Sequence, residues 1–93
     1  MTDITVTPTG DDRYGVAIRE GDVTTNHEVR VPADLVDDLG LGDVDPERLV
    51  RESIEFLLER EPATSIMSEF ALSDIRRFFD DYDDEIATRV GGP

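Results

Sequence analysis

Asp45-Pro46-Glu47-Arg48-Leu49-Val50-Arg51-Glu52-Ser53-Ile54-Glu55-Phe56-Leu57-Leu58-Glu59-Arg60-Glu61-Pro62, residues 45 to 62, is the stretch that decides the fold. Asp45 can cap a helix, and Pro46 suits its first position, where the missing N–H is not needed. Leu49, Val50, Ile54, Leu57 and Leu58 then fall on one helical stripe that Phe56 widens, with Glu47, Arg51, Glu52, Glu55 and Glu59 outside it. Glu61-Pro62 ends the run, because the residue before proline is biased out of the α region. A helix over 46 to 60 with one apolar face requires a second layer to cover that face.

The residues upstream supply that layer. Ile4 and Val6 alternate with Thr5 and Thr7 as far as Pro8, the period-two pattern of a strand with one face inward. Thr9-Gly10-Asp11-Asp12 is turn chemistry, after which Tyr14, Val16 and Ile18 alternate with Gly15, Ala17 and Arg19. Gly21-Asp22 marks the next turn. From Val23 to Val31 the pattern puts Thr25, His27, Val29 and Val31 on one face and Asn26, Glu28 and Arg30 on the other. The sequence therefore predicts an α+β fold, a three-stranded antiparallel meander covered on one face by the main helix and by C-terminal helical segments.

Shorter elements complete the reading. Pro32 opens a two-turn helix with Leu35, Val36 and Leu39, closed at Gly40. A helical piece from Thr64 to Phe70 is expected to bury Ile66, Met67 and Phe70. Ser73 and Asp74 start a further helix carrying Ile75, Phe78 and Phe79, and Ile86 and Val90 suit a last turn or two. The expected core is Val6, Tyr14, Val16, Ile18, Val29, Val31, Leu49, Ile54, Leu57, Leu58, Phe70, Ile75 and Phe78. Residues 1 to 90 are expected to form one domain and 91 to 93 a disordered tail.

Charge narrows the setting. Among 93 residues, 23 are acidic and 9 basic, for a formal charge of −14, and all nine basic residues are Arg. Carboxylates hold water and cations where salt competes for hydration, and Arg pairs with them through a weakly hydrated bidentate fork that Lys lacks. At molar salt the Debye length falls to about 3 Å, which screens most of the self-repulsion. The composition resembles that of haloarchaeal cytoplasmic proteins, so a cytoplasmic location is expected. The absence of Cys excludes disulfides, thiolate nucleophiles and cysteine metal sites. No basic and apolar leader opens the sequence, and no apolar run nears the roughly 20 residues of a membrane span, so neither export nor membrane insertion is expected.

Residues 49 to 62, with Ser65-Ile66-Met67 and the 70 to 75 segment, resemble a family of small uncharacterised bacterial and archaeal proteins. The resemblance spans residues 14 to 86. It implies a strand hairpin, a helix ending in Glu-Arg-Glu-Pro, a Ser-Ile-Leu-like turn and an aromatic helix, and it implies no activity. Where such proteins tend to carry a carboxylate cap before the aromatic helix, this chain has Ala71, which leaves Ser73 as the candidate cap.

Few residues suggest chemistry. The run Asp80-Asp81-Tyr82-Asp83-Asp84-Glu85 offers oxygen ligands for a hard cation but lacks the alternating carboxylates and central Gly of a calcium loop, and it reads as a solvated face. Asp43, Asp45 and Glu47 alternate beside Gly42, but Asp45 is already a helix cap. His27, the sole histidine, reads as a packed strand residue, and Ser53 as a small residue allowing close helix-to-sheet approach. No phosphate-cradling loop, GxSxG elbow or HExxH pair occurs, so neither enzymatic activity nor a cofactor or metal is expected.

The expected role is a non-enzymatic protein-interaction or regulatory module, with a protein partner or a homodimer meeting the sheet's open face or edges. The alternative is a ribbon-helix-helix-like DNA-binding or antitoxin-type regulator, with Asn26, Glu28 and Arg30 as the base readers. The net charge weighs against nucleic acid, because affinity there depends on neutralising phosphates.

Overall fold

The alternating segments form strands where the pattern put them. In a computed structural model, described over residues 2 to 91, β1 (Thr2–Pro8), β2 (Arg13–Glu20) and β3 (Val23–Arg30) make an antiparallel meander. Gly21, at φ 59°, takes the left-handed conformation that the two-residue connection between β2 and β3 demands. Val6, Tyr14, Val16, Ile18, His27 and Val29 face inward and are buried, while Thr5, Thr7, Gly15, Ala17, Asn26 and Glu28 face the other way.

Pro32 caps α1 (Ala33–Leu39). Gly40, at φ 66°, ends that helix, with its N–H bonded to the Asp37 carbonyl and the Leu41 N–H to that of Val36, so Leu41 folds back into the core. Helix α2 (Pro46–Leu58) begins as read, the Asp45 carboxylate accepting the Glu47 N–H at 2.9 Å. It buries Leu49, Val50, Ser53, Ile54, Phe56 and Leu57, while Leu58 is half-buried rather than core. This helix has two partners: β1 on one side and α4 (Tyr82–Gly91) on another.

Two expectations are corrected between the long helices. The expected 64 to 70 helix is a short 3-10 turn at Ala63–Ser65 followed by β4 (Glu69–Ala71), which pairs parallel to β3 in the register Glu28 with Glu69 and Arg30 with Ala71. The sheet is thus four-stranded and mixed, ordered β1-β2-β3-β4. The physical reason lies in β3, whose second edge carries unpaired backbone groups. An extended segment satisfies them, as the Glu28 N–H bonded to the Ser68 carbonyl at 2.7 Å illustrates, whereas a helix cannot. The second correction concerns α3 (Leu72–Phe78), whose cap is neither Ser73 nor Ala71, which has no side-chain acceptor. Asp74, at the third helical position, reaches back to the Ala71 N–H at 3.0 Å.

The aromatic assignment also changes. Phe78, expected in the core, is 69% exposed. Its neighbour Phe79 turns inward, edge-on to Phe56 with ring centroids 5.7 Å apart, and Tyr82 meets Phe56 from the other side at 5.4 Å. Phe56 and Tyr82, together with Ile86 and Val90 of α4, join the same hydrophobic cluster as the inner face of the sheet. Fully burying an apolar side chain of this size stabilises by about 1.5–3 kcal/mol, so these residues make the C-terminal segment part of the core. The expected 91 to 93 tail falls largely on residues 92 and 93, outside the described residues, while the backbone of Gly91 closes α4. Among the described residues no helix is long and apolar enough to cross a membrane.

Candidate functional site

An apolar groove opens where α3 diverges from the segment leading into β4. Its walls are Leu57, Ile66, Met67, Phe70, Ile75 and Phe78, its polar rim includes the carboxylates of Glu61 and Asp74, and its volume is about 260 Å³. Two of these wall residues are out of place on a carboxylate-covered protein. Met67 is 48% exposed and Phe78 is 69% exposed, although each has apolar neighbours within the groove. Phe78 is turned out because it ends α3 just before Phe79 leaves helical geometry, and Phe79 occupies the inner position against Phe56.

His27 fixes one wall of the groove. Its Nδ1 lies 2.8 Å from the Met67 carbonyl and its Nε2 lies 2.9 Å from the Thr25 hydroxyl. A carbonyl only accepts, so Nδ1 carries a proton and donates to Met67, while Nε2 shares a hydrogen bond with the Thr25 hydroxyl. The histidine is buried, and it ties β3 to the chain just before β4. Its chemistry is that of a strut, and both of its ring nitrogens are occupied.

The outer face of the sheet is a second open surface. Thr5, Thr7, Asn26, Glu28 and Ser68 surround a shallow trough of about 480 Å³ floored by Gly15 and Ala17. Asn26, Glu28 and Arg30 share this face as one row. β3 lies between β2 and β4, and β4 pairs along its second edge over Glu28 to Arg30. The exposed edge strand β1 is also engaged, since Arg51 of α2 donates to the Ile4 carbonyl at 2.8 Å.

The remaining candidates act as fasteners. Ser53 faces α4 rather than serving close approach to the sheet. Its hydroxyl donates to the Leu49 carbonyl at 2.8 Å, so the Tyr82 hydroxyl, 2.7 Å away, must donate to Ser53. Burial pushes the Tyr82 phenol up to about 12, partly opposed by the Ser53 hydrogen bond. In the acidic run, Asp81 pairs with Arg60, Asp83 with Arg76 at 2.7 Å, and Glu85 lies 4.0 Å from Arg89. Arg60 in turn stacks over the Phe56 ring, 3.7 Å from its centroid. Asp45 is spent on its helix cap, and among the described residues no group of three or more His, Asp or Glu side chains is arranged to hold a metal ion.

Sequence reading missed the groove, because it depends on Phe78 and Met67 being left outside. It also missed Tyr82, which the surrounding acids disguise, although Tyr82, Ile86 and Val90 recur at four-residue spacing and trace a helical stripe. No protein-family model matches this chain, and no curated protein or solved structure matches it either.

Proposed function

We propose that this domain is a non-enzymatic protein-interaction module of a high-salt cytoplasm, and that it docks a partner through the groove between α3 and the segment before β4. Its occupant is an amphipathic segment of another protein, presenting aliphatic anchors flanked by arginine. The carrying observation is the pairing of exposed Phe78 and Met67 around one apolar cleft with Glu61 and Asp74 at its rim. Exposed aromatic and Met side chains beside a pocket are the features that mark interface centres, and adaptable Met suits a site that must mould to its ligand. The rim carboxylates favour a cationic flank, and a chain of net charge −14 repels acidic segments. A strand hairpin ahead of the main helix and an aromatic helix after it is also the element order that the resemblance of residues 49 to 62 to small bacterial and archaeal proteins implies.

The test uses an acetylated, amidated peptide with Leu at helical spacing and Arg between, and a twin with Glu in place of Arg, each titrated into ¹⁵N-labelled protein in molar KCl. Saturable shifts confined to Ile66, Phe70, Ile75 and Phe78, weaker with the Glu twin and lost in Phe78→Ser, support the reading. Unchanged binding by Phe78→Ser, or a concentration-dependent dimer that protects Phe78 without any peptide, overturns it.

A further inference from the structure

The chain shows how it holds its own arginines, and α3 carries the ring and the carboxylate of the same arrangement without an arginine of its own between them. Arg60 lies over the Phe56 ring, 3.7 Å from the centroid, and pairs with Asp81 and, at 3.8 Å, with Glu59. Arg89 stands 5.8 Å from the same centroid and pairs with Glu59 at 2.7 Å. In both cases one guanidinium is shared between an aromatic face and a carboxylate. The two attractions use different parts of it, since its edge donates to oxygen while its face stacks on the ring.

Asp74 and Phe78 stand four residues apart on α3, which makes them neighbours on one face of the helix. A long side chain on a helix leans over the turn before it, so the Phe78 ring tips toward Asp74. Both residues line the apolar groove. Phe78 is the only exposed aromatic residue among those described, and its ring is open to a cation. Asp74 is held in advance, because one of its oxygens accepts the Ala71 N–H at 3.0 Å, which fixes the carboxylate and leaves the other oxygen for a ligand. Beyond Phe70 the same carboxylate borders a cleft with Arg13 and Arg30, where Glu28 and Glu69 already match those two charges in number. Arg77, three residues after Asp74, makes no ion pair with it among the described residues.

We infer that Asp74 and Phe78 form a receptor for a single guanidinium, which selects an arginine over a lysine in the segment that docks in the groove. The inference rests on the groove being a docking surface, and it fixes where the partner's cation lies. That cation stacks on the Phe78 ring and meets Asp74 at the α3 wall, while the aliphatic anchors reach the wall of Ile66 and Met67. A planar, weakly hydrated guanidinium meets ring and carboxylate together, whereas the strongly hydrated ammonium of lysine is a point charge that gains little from the ring.

The test titrates the whole chain in molar KCl with three acetylated, amidated peptides that share Leu at helical spacing and carry a single Arg, Lys or citrulline beside it, the Arg side chain labelled with ¹³C. The Arg peptide should bind about two- to fivefold more tightly than either of the others, the worth of one exposed cation–π contact, and its Hδ signals should move upfield in the ring current of Phe78. Phe78→Leu, which keeps the wall apolar, should erase both the preference over Lys and the upfield shift. Asp74→Asn, which still accepts the Ala71 N–H, should weaken the Arg peptide about twofold and leave the citrulline peptide unchanged. Both variants are checked for folding by circular dichroism. Equal binding of the Arg and Lys peptides, a preference and shift that persist in Phe78→Leu, or an Asp74→Asn variant that binds the Arg peptide as the parent does would overturn the receptor and leave the groove as a docking surface. Binding of none of the three peptides overturns both.

Discussion

Ser53→Ala and Tyr82→Phe act on opposite ends of one buried hydrogen bond, and their costs should be unequal. Ser53→Ala takes away the oxygen that accepts the Tyr82 hydroxyl at 2.7 Å, leaving a donor stranded in the core. A stranded buried donor costs ~1–3 kcal/mol, against which alanine's better helix propensity returns about 0.5 kcal/mol. Tyr82→Phe removes the donor instead, and Ser53 keeps its bond to the Leu49 carbonyl at 2.8 Å, so the loss is only the net worth of one hydrogen bond, ~0.5–1.5 kcal/mol. The double variant strands nothing, since Phe and Ala then meet as apolar groups. Adding Tyr82→Phe to Ser53→Ala should therefore recover stability, with a coupling of about 1 kcal/mol or more. Urea unfolding in molar KCl, followed by far-UV circular dichroism, reads this directly. With a slope of ~1–1.5 kcal/mol per molar urea for a chain this short, Ser53→Ala should lower the midpoint by about 1 M and the double variant should recover much of that loss. Simple addition of the two single losses would refute the buried pair and the docking of α4 on α2.

Three further outcomes can be checked. The Tyr82 phenol is pushed from 10.0 up to about 12 by burial, so its contribution is complete below pH 10 and is lost as pH rises from 10 toward 12, about 2–3 kcal/mol in all. Chemical unfolding at pH 9 and pH 11.5 should show that loss, and Tyr82→Phe should show a smaller one. Tyr14 shifts in the same direction, by burial and then by the charge of Asp45, and supplies the part that remains. Phe78→Ser should leave stability within about 0.5 kcal/mol, whereas Phe56→Ala should cost ~3–5 kcal/mol, because one ring lies in solvent and the other is enclosed. In a KCl series, the chain of net charge −14 should unfold at higher urea as salt rises from dilute to molar, and equal midpoints would remove the high-salt reading.

What could be read from the sequence followed the strength of the local signal. Asp45-Pro46 announces α2 because the cap and the proline are local chemistry that tertiary contacts leave alone, and the period-two runs of β2 and β3 are long enough to declare an inward face. Glu69-Phe70-Ala71 is too short to show any period, and its strand character comes wholly from the open edge of β3, forty residues away in sequence. Phe78 and Phe79 are both compatible with a helical stripe, and only the end of α3 decides which one turns inward. Of the site residues, Asn26, Glu28 and Arg30 form the one outward row that the alternation predicts, but the fourth strand alongside Glu28 to Arg30 was not legible. The groove and the Asp74–Phe78 pair depend on which side chains the fold leaves outside, which a single sequence does not state.

The most direct test of the whole arrangement is solvent paramagnetic relaxation of aromatic side-chain signals, measured with a neutral gadolinium chelate in molar KCl. Phe56 and Tyr82 should be shielded while Phe78 is strongly broadened, because the helical layer encloses the first two and the groove leaves the third in water. Broadening of Tyr82 comparable to that of Phe78 would contradict the packing of the C-terminal helix on α2.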